Sequence, residues 1–438
     1  MLPRFLLLGL LLAFETVAWK LTATWRKTVT SAIAATAVCW QHPLAGHAIT
    51  NQLADVGLKE FLVKDGREWL RLSLPSADAA AKEAQEDIEL IRLRLEQVGF
   101  SSKAPWGGAV KDASLANGLI VKNKDAWVDK VTDGKSKDAA RRLINDELLP
   151  NMNLLLNALR TEDIATTNQL QEVVGAELGE LRAMQLPANK LPFDIPAEYS
   201  SLPRLNGRAE VEMVVTYGGG GTKKGYRLAD DVTVVPKITL KMVVDGYHAP
   251  LTAGSFVDLV SKRFYDGMSL QQVQELIVQT GKPANGVDGF IETKTGKLRQ
   301  IPLELFYKRD AAPTYGATSD DDMRATDAMA LPFQAYGALG MARGNEDVDS
   351  ASSQFFLVKW DQGLIAPGRN TLDGFYRCLP PHILFCSTLR ALVTPFSPST
   401  PYSCFGFVTE NEDILKQMTD KDTISMKVTK GLENLVVP

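Results

Sequence analysis

Histidine and cysteine are scarce in this chain, with four of each among 438 residues. Cys39, His42 and His47 lie near the start, and Cys378, His382, Cys386 and Cys404 fall in one short stretch, which leaves His248 isolated between them. One histidine cannot build a Cys/His metal cage, a Cys–His nucleophile pair or a Ser–His–Asp triad. No metal and no cofactor are therefore expected, and a hydrolase is disfavoured. Surplus positive charge is also missing. The net charge of −4 argues against a nucleic-acid binder held by counterion release. Apolar residues at 45% and charged residues at 23% are ordinary for a folded soluble protein, which excludes a wholly disordered chain or a multi-span membrane protein.

The first 48 residues carry Arg4, Lys20, Arg26 and Lys27 against a single acid, Glu15. The run from Phe5 to Phe14 (FLLLGLLLAF) is too short to span a bilayer but suits a signal h-region. A second basic, apolar and small-residue series follows through Trp25-Arg26-Lys27, Ser31 to Trp40 and Pro43 to Ala48. We read residues 1–48 as a bipartite targeting leader, cleaved after Ala48, that crosses more than one membrane. The alternative is one secretory signal followed by a spacer.

Residues 49–186 have a helical period. Leu53, Val56, Leu58, Phe61 and Leu62 begin a stripe that runs towards Trp69 and Leu72, and Pro75 stops it. Ser76 or Asp78 can cap the next helix, where Ile88, Ile91, Leu95 and Val98 recur at spacings of three and four. Further helical windows run over 109–131, 138–160 and 162–184, with Pro150 expected to interrupt or bend one of them. An acidic four- or five-helix bundle follows. It contains no Glu-x-x-His pair, so its carboxylates read as a solvated face. Residues 187–206, with Pro187, Pro192, Pro196 and Pro203, read as a semi-rigid linker.

From residue 207 to 438 the period changes to two. Ala209, Val211, Met213 and Val215 alternate with polar residues. The run Gly218 to Gly221 lacks phosphate-loop spacing and reads as a loop. Ala253 to Phe264 has helical spacing, and strands joined by glycine-rich loops around one helix suggest a barrel.

Several short motifs then occur in order: Val244-Asp245-Gly246, Ala249-Pro250-Leu251-Thr252-Ala253, Phe264-Tyr265-Asp266-Gly267, Gln279-Thr280-Gly281, Met341-Ala342-Arg343, Ser353-Gln354-Phe355-Phe356 and Leu372-Asp373-Gly374. Together they resemble a cyclophilin. The whole chain is similar to the multidomain cyclophilins of the thylakoid lumen, a likeness echoed by Leu331-Pro332-Phe333-Gln334-Ala335-Tyr336-Gly337 and Val408-Thr409-Glu410-Asn411. The resemblance implies an α+β multidomain protein: an N-terminal helical bundle, then a closed antiparallel eight-stranded β-barrel capped by helices. It also implies a plastid and thylakoid-lumen address.

A cyclophilin isomerises X–Pro bonds, whose uncatalysed barrier of roughly 18–20 kcal/mol reflects amide resonance. That chemistry needs an apolar proline pocket and hydrogen-bonding groups that favour the twisted amide, and no nucleophile. By resemblance Leu276, Ile277, Phe356 and Leu372 would line the pocket. Gln279 and Gln354 would hydrogen-bond the peptide, Ala342 and Arg343 would lie along the groove, and Tyr376 would stand where the family has His. The family places its catalytic arginine four or five residues before the pocket aromatic, hence at Gln272 or Gln271. We take Gln272 as its replacement. A neutral amide lacks the guanidinium charge and fork, so weakened catalysis is expected, with Arg343 as a candidate substitute charge.

Where the family has two residues between Leu-Asp-Gly-x-Tyr and Phe-Gly, this chain has 28, from Arg377 to Cys404. The stretch 378–404 has one charged side chain, Arg390, and five prolines, and would split a strand. We read it as translated intron. The alternative is an inserted surface loop closed by a Cys378–Cys404 disulfide. The functional expectation is a lumenal isomerase, or folding and assembly factor, that binds proline-containing segments of client proteins. The rival is a non-catalytic scaffold whose helical half recruits a photosynthetic membrane complex.

Overall fold

The alternation from Arg208 to Thr216 forms a nine-residue strand, β1, in which every second residue is buried. It begins a series completed by β2 (Lys237–Asp245), β3 (Gln272–Val273), β4 (Ile277–Thr280), β5 (Ala338–Met341), β6 (Phe355–Val358), β7 (Cys404–Glu410) and β8 (Thr423–Lys430). All pair antiparallel in the order β8-β1-β2-β7-β5-β6-β4-β3. The computed structural model describes residues 63–359 and 401–438, apart from positions 77, 97–105, 132–133, 220–224, 231, 275, 325–326 and 345–346. The leader, the cleavage site after Ala48, the start of the first helical stripe, Leu372, Tyr376, Cys378 and most of the 378–404 stretch lie outside the described residues.

The expected closed barrel is corrected: the sheet curls into a half-barrel whose edges do not join as strands. The edge strand β3 has only two residues, too few to continue the ladder. An isolated bridge, Ser269–Thr423, is what meets β8 there, with backbone bonds from Gly267 N to Ile424 O (2.8 Å) and from Leu270 N to Asp422 O (3.0 Å).

Seven α-helices occur among the described residues: α1 (Gly66–Leu72), α2 (Ala79–Glu96), α3 (Trp106–Asp129), α4 (Gly134–Arg142), α5 (Leu149–Arg160), α6 (Ile164–Met184) and α7 (Pro250–Ser261). Asp78 Oδ1 accepts from Ala81 N (2.9 Å) at the start of α2, and Asp163 caps α6 by accepting from Thr166 N (3.1 Å). Between α4 and α5 the chain stays helical through a π turn, Leu143–Leu148. Pro150 follows in the first turn of α5, so the wider turn absorbs its missing N–H in place of the expected interruption. Ile88, Ala113, Ile120, Trp127, Leu155 and Val174 share the apolar core of the helical region.

Val63 to Pro438 forms one compact unit, and α1 joins its two parts. Trp69 and Leu70 of α1, with Leu90 and Leu93 of α2, belong to the same apolar cluster as Met242 and Phe407 of the sheet. Polar contacts lock this seat. Val63 O accepts from Gln334 Nε2 (3.0 Å) and Trp69 Nε1 (3.1 Å). The fully buried Arg182 of α6 donates to Arg71 O (2.8 Å) and Leu74 O (3.2 Å), adding a side-chain bond to carbonyls at the end of α1 that also accept backbone N–H groups.

Helix α7 packs its Phe256 edge-on against Phe355 of β6, centroids 5.0 Å apart, and covers the inner face. The outward row of the same strands carries the site.

Candidate functional site

Directly opposed residues of an antiparallel ladder project from the same face. Gln272 of β3 is opposed by Gln279 of β4, Gln279 by Phe356 of β6, and Phe356 by Gly340 of β5. Ile277 and Gln354, two positions along their strands, share that face. The structure thus brings Gln272, Ile277, Gln279, Gln354 and Phe356 into one patch. Gln272 is exposed on the edge strand, and Gln271, its neighbour, is half-buried with its side chain bonded to the Lys282 backbone.

Gln279 Nε2 donates to Gln354 Oε1 (3.1 Å). A carboxamide offers two N–H donors and one acceptor, so this bond leaves Gln354 Nε2 and Gln279 Oε1 to meet a peptide backbone. Ala342 N donates to Gln354 O (2.9 Å) and holds the segment after β5 beside the pair. Gln279, Gln354, Ala342 and Arg343 line one groove of about 340 Å³, with Lys282 and Leu298 on its far wall.

Phe356 is 1% exposed. Its ring stacks on Phe333 (5.8 Å, 22° between planes) and meets Tyr402 edge-on (5.3 Å). Gly340 makes this possible, since a Cβ there would collide with the Phe356 ring. Ile277 is buried and Leu276 is half-buried beside it; Leu276 O accepts from Lys359 N (2.8 Å). Together they form a buried apolar floor beneath the glutamine face, outside the lining of the groove itself.

Arg343 is partly committed. Its Nε and Nη2 both donate to Pro401 O (3.2 and 3.0 Å), and Nη1 donates to Gly344 O (3.0 Å). The guanidinium lies over the Tyr402 ring, 5.5 Å from its centroid. Burial pushes its pKa down from the ordinary arginine value. The last residues of the long stretch are therefore built into the site. Pro401 accepts from Arg343, Tyr402 packs on Phe356, Ser403 Oγ accepts from Glu304 N (2.8 Å), and Cys404 pairs with Gly340 in the sheet. The disulfide alternative depends on Cys378, outside the described residues.

Behind the floor, Glu304 is fully buried at the N-terminus of α7, where its carboxylate accepts from Thr252 N (2.9 Å) and Leu251 N (3.2 Å). Burial pushes its pKa up to about 7 despite those bonds. His248, the isolated histidine, is buried with Nδ1 3.1 Å from Asp245 Oδ1. Burial opposes the Asp245 charge, but Arg208 and His248 hold its pKa below the usual carboxylate range. His248 is thus part of the strand-end architecture beside Arg208–Asp245. A larger cleft of about 520 Å³ lies between α6 and the strands, lined by residues including Arg67, Glu172, Lys241 and Glu410; it shares no residue with the groove.

Residue spacing missed Phe333 and Tyr402, and it named Gln271 only as the other candidate for the arginine's place. Phe333 sits in the recognisable Leu331-Pro332-Phe333 motif, which gave it a place in sequence but no partner. Tyr402 was hidden in the extra stretch.

The family model for cyclophilin type peptidyl-prolyl cis-trans isomerase/CLD matches residues 231–434. A Synechocystis protein named as a thylakoid lumen peptidyl-prolyl cis-trans isomerase is 31% identical over 399 residues, 91% of this chain and 89% of that one. The chloroplastic peptidyl-prolyl cis-trans isomerase CYP38 of Arabidopsis thaliana is 30% identical over 400 residues, covering 90% and 81% respectively. Among solved structures, a cyclophilin type isomerase of Cryptosporidium parvum matches at a TM-score of 0.28 and 14% identity, covering 51% of this chain and 98% of that one. The chain is a plastid protein of the thylakoid lumen, as those relatives are named for the lumen and the chloroplast. With its likeness to both over about nine-tenths of its length, it belongs to the cyclophilin-type peptidyl-prolyl cis-trans isomerase family.

Proposed function

We propose that the outward face of β3, β4 and β6 binds proline-containing segments of client proteins and that its isomerase activity is weakened by the missing arginine. The observation that carries this reading is the row Gln272–Gln279–Phe356, flanked by an Arg343 three of whose five N–H donors are held by Pro401 O and Gly344 O. Residues matching Ile277 and Phe356 receive the proline ring in the family; here both are buried on the glutamine face, so a peptide would have to open the layer above them. Gln354 Nε2 and Gln279 Oε1 hold the flanking peptide in register. Among the described residues no cationic side chain replaces the arginine at Gln272 itself to favour the twisted amide. Removal of one preorganised donor from a comparable site costs roughly 2.7–4 kcal/mol, so binding outlasts catalysis. Arg343 keeps one N–H on each Nη while bound to Pro401 O and Gly344 O and lines the groove, so it stays a candidate substitute charge.

A protease-coupled assay on a proline peptide tests this. Turnover equal to that of an arginine-bearing cyclophilin would overturn the weakened-catalyst reading, and absence of peptide binding would overturn the groove itself.

The scaffold reading draws on a separate observation. Leu115 and Val121 of α3, Leu154 of α5 and Val173 of α6 are large apolar side chains exposed on the helical region, a surface on which a client or membrane complex could be held while the groove works on it. In both readings the chain acts in folding or assembly within the lumen. A helical-region variant that loses lumenal complexes while peptide binding stays intact would favour the scaffold.

A further inference from the structure

The two adjacent glutamines do different work. Gln271 is half-buried and its carboxamide grips the backbone of one residue, Lys282, from both sides: Nε2 donates to Lys282 O, and Oε1 accepts from Lys282 N (3.0 Å). Its own N–H donates to Gln279 O (2.9 Å). The side chain therefore mimics a peptide unit and carries the β3–β4 pairing beyond the end of β4 at Thr280. That end needs such support. Gly281 has φ +98°, and a side chain there would collide with Ser353 O; the turn is stitched from the other side by Ser353 Oγ donating to Gly281 O (2.7 Å). From Lys282 the chain enters the loop that returns at Leu298. Lys282, Asp288 and Leu298 from this loop line the groove opposite Arg343, with Lys282 and Asp288 ion-paired.

We propose that Gln271 is a positioning residue: by clamping Lys282 it fixes the loop wall of the groove against Gln279 and Gln354, and it is Gln272 alone that occupies the place of the missing arginine. The proposal rests on the groove reading above. It follows from donor and acceptor inventory that Gln271 cannot be exchanged for arginine. A guanidinium has no acceptor, so the Lys282 N–H would lose its partner and the loop its anchor.

The test uses the full chain carrying Gln271→Leu or Gln271→Glu, read by amide hydrogen exchange at Lys282 and by the Kd of an Ala-Ala-Pro-Phe anilide. In Gln271→Leu the Lys282 amide should exchange about fivefold faster or more, the effect of an ordinary hydrogen bond, and the peptide Kd should rise by a similar factor. Gln271→Glu keeps the acceptor and should restore protection at Lys282 and most of the affinity. Faster exchange with unchanged Kd overturns the proposal, because the clamp would then be structural only. Unchanged exchange overturns it, and so does lost turnover at unchanged Kd, which would make Gln271 catalytic. Failure of the unsubstituted chain to bind the peptide overturns the groove reading instead and this proposal with it.

Discussion

Gln279 donates to Gln354 across neighbouring strands at 3.1 Å, and each keeps one polar function facing the groove. This relationship makes the two amides a single recognition unit rather than two independent contacts. In a double-mutant cycle, Gln279→Leu and Gln354→Leu should each weaken peptide binding, and the double variant should cost less than the sum by about 1 kcal/mol. Isothermal titration of the four proteins with a proline peptide measures it; strict additivity would show that the amides act separately.

Gln272→Arg should raise turnover. The register sets this side chain opposite Gln279 on an exposed edge strand, where a guanidinium fits without burial. If the rest of the groove is sound, the gain should be at least tenfold and up to the order of 10²–10³, the range lost when one preorganised donor is removed. Exchange spectroscopy on a proline peptide reads the rate directly, and an unchanged rate would locate the defect elsewhere.

Gly340→Ala should disturb the floor of the site. Its methyl group would meet the Phe356 ring, and Phe333 behind that ring leaves little room to yield. Overpacking of this kind costs about 1–3 kcal/mol. Denaturant unfolding should show that loss, and peptide affinity should fall with it; a variant with native stability and native affinity would mean the ring moves freely.

Stability should fall as pH rises through the window set by Glu304. Its folded pKa of about 7 lies above the ordinary 4.5, so between those values the folded state holds a proton the unfolded chain has released. Unfolded chains then bind fewer protons, and unfolding free energy declines with increasing pH. Glu304→Gln should flatten this slope while the depressed carboxyls, such as Asp65 with a pKa near 2, still govern the acid limb. Calorimetric melting points at steps from pH 4.5 to 7.5 provide the check, and parallel curves for the two proteins would refute the assignment.

Much of the sheet was legible in the sequence because alternation is a local property. Val211, Met213 and Val215 declared their buried face by period alone, and the motif order located Gln279, Gln354 and Phe356 on one surface. Other features depend on distances that spacing does not encode. Whether Gln271 or Gln272 faces the groove is decided by strand register, and a shift of one residue reverses the answer. The state of Arg343 depends on Pro401, 58 positions away. The open edge between β3 and β8 depends on how few residues β3 has to pair. The π turn before Pro150 reflects a choice among helical geometries that no residue pattern distinguishes.

The shared seat of α1 has a consequence for folding. Since Trp69 and Leu70 are interior to the cluster that holds Phe407, we expect melting of the half-barrel to unseat α1 and to be coupled to the helices. Denaturation should follow one cooperative transition, and a barrel severed from its helices at the proline-rich stretch would expose an oily scar where α1 had been. Helix α1 and one face of α2 are thus part of the sheet's own interior, and evolution could not exchange the helical half as a detachable module without repacking the sheet beneath.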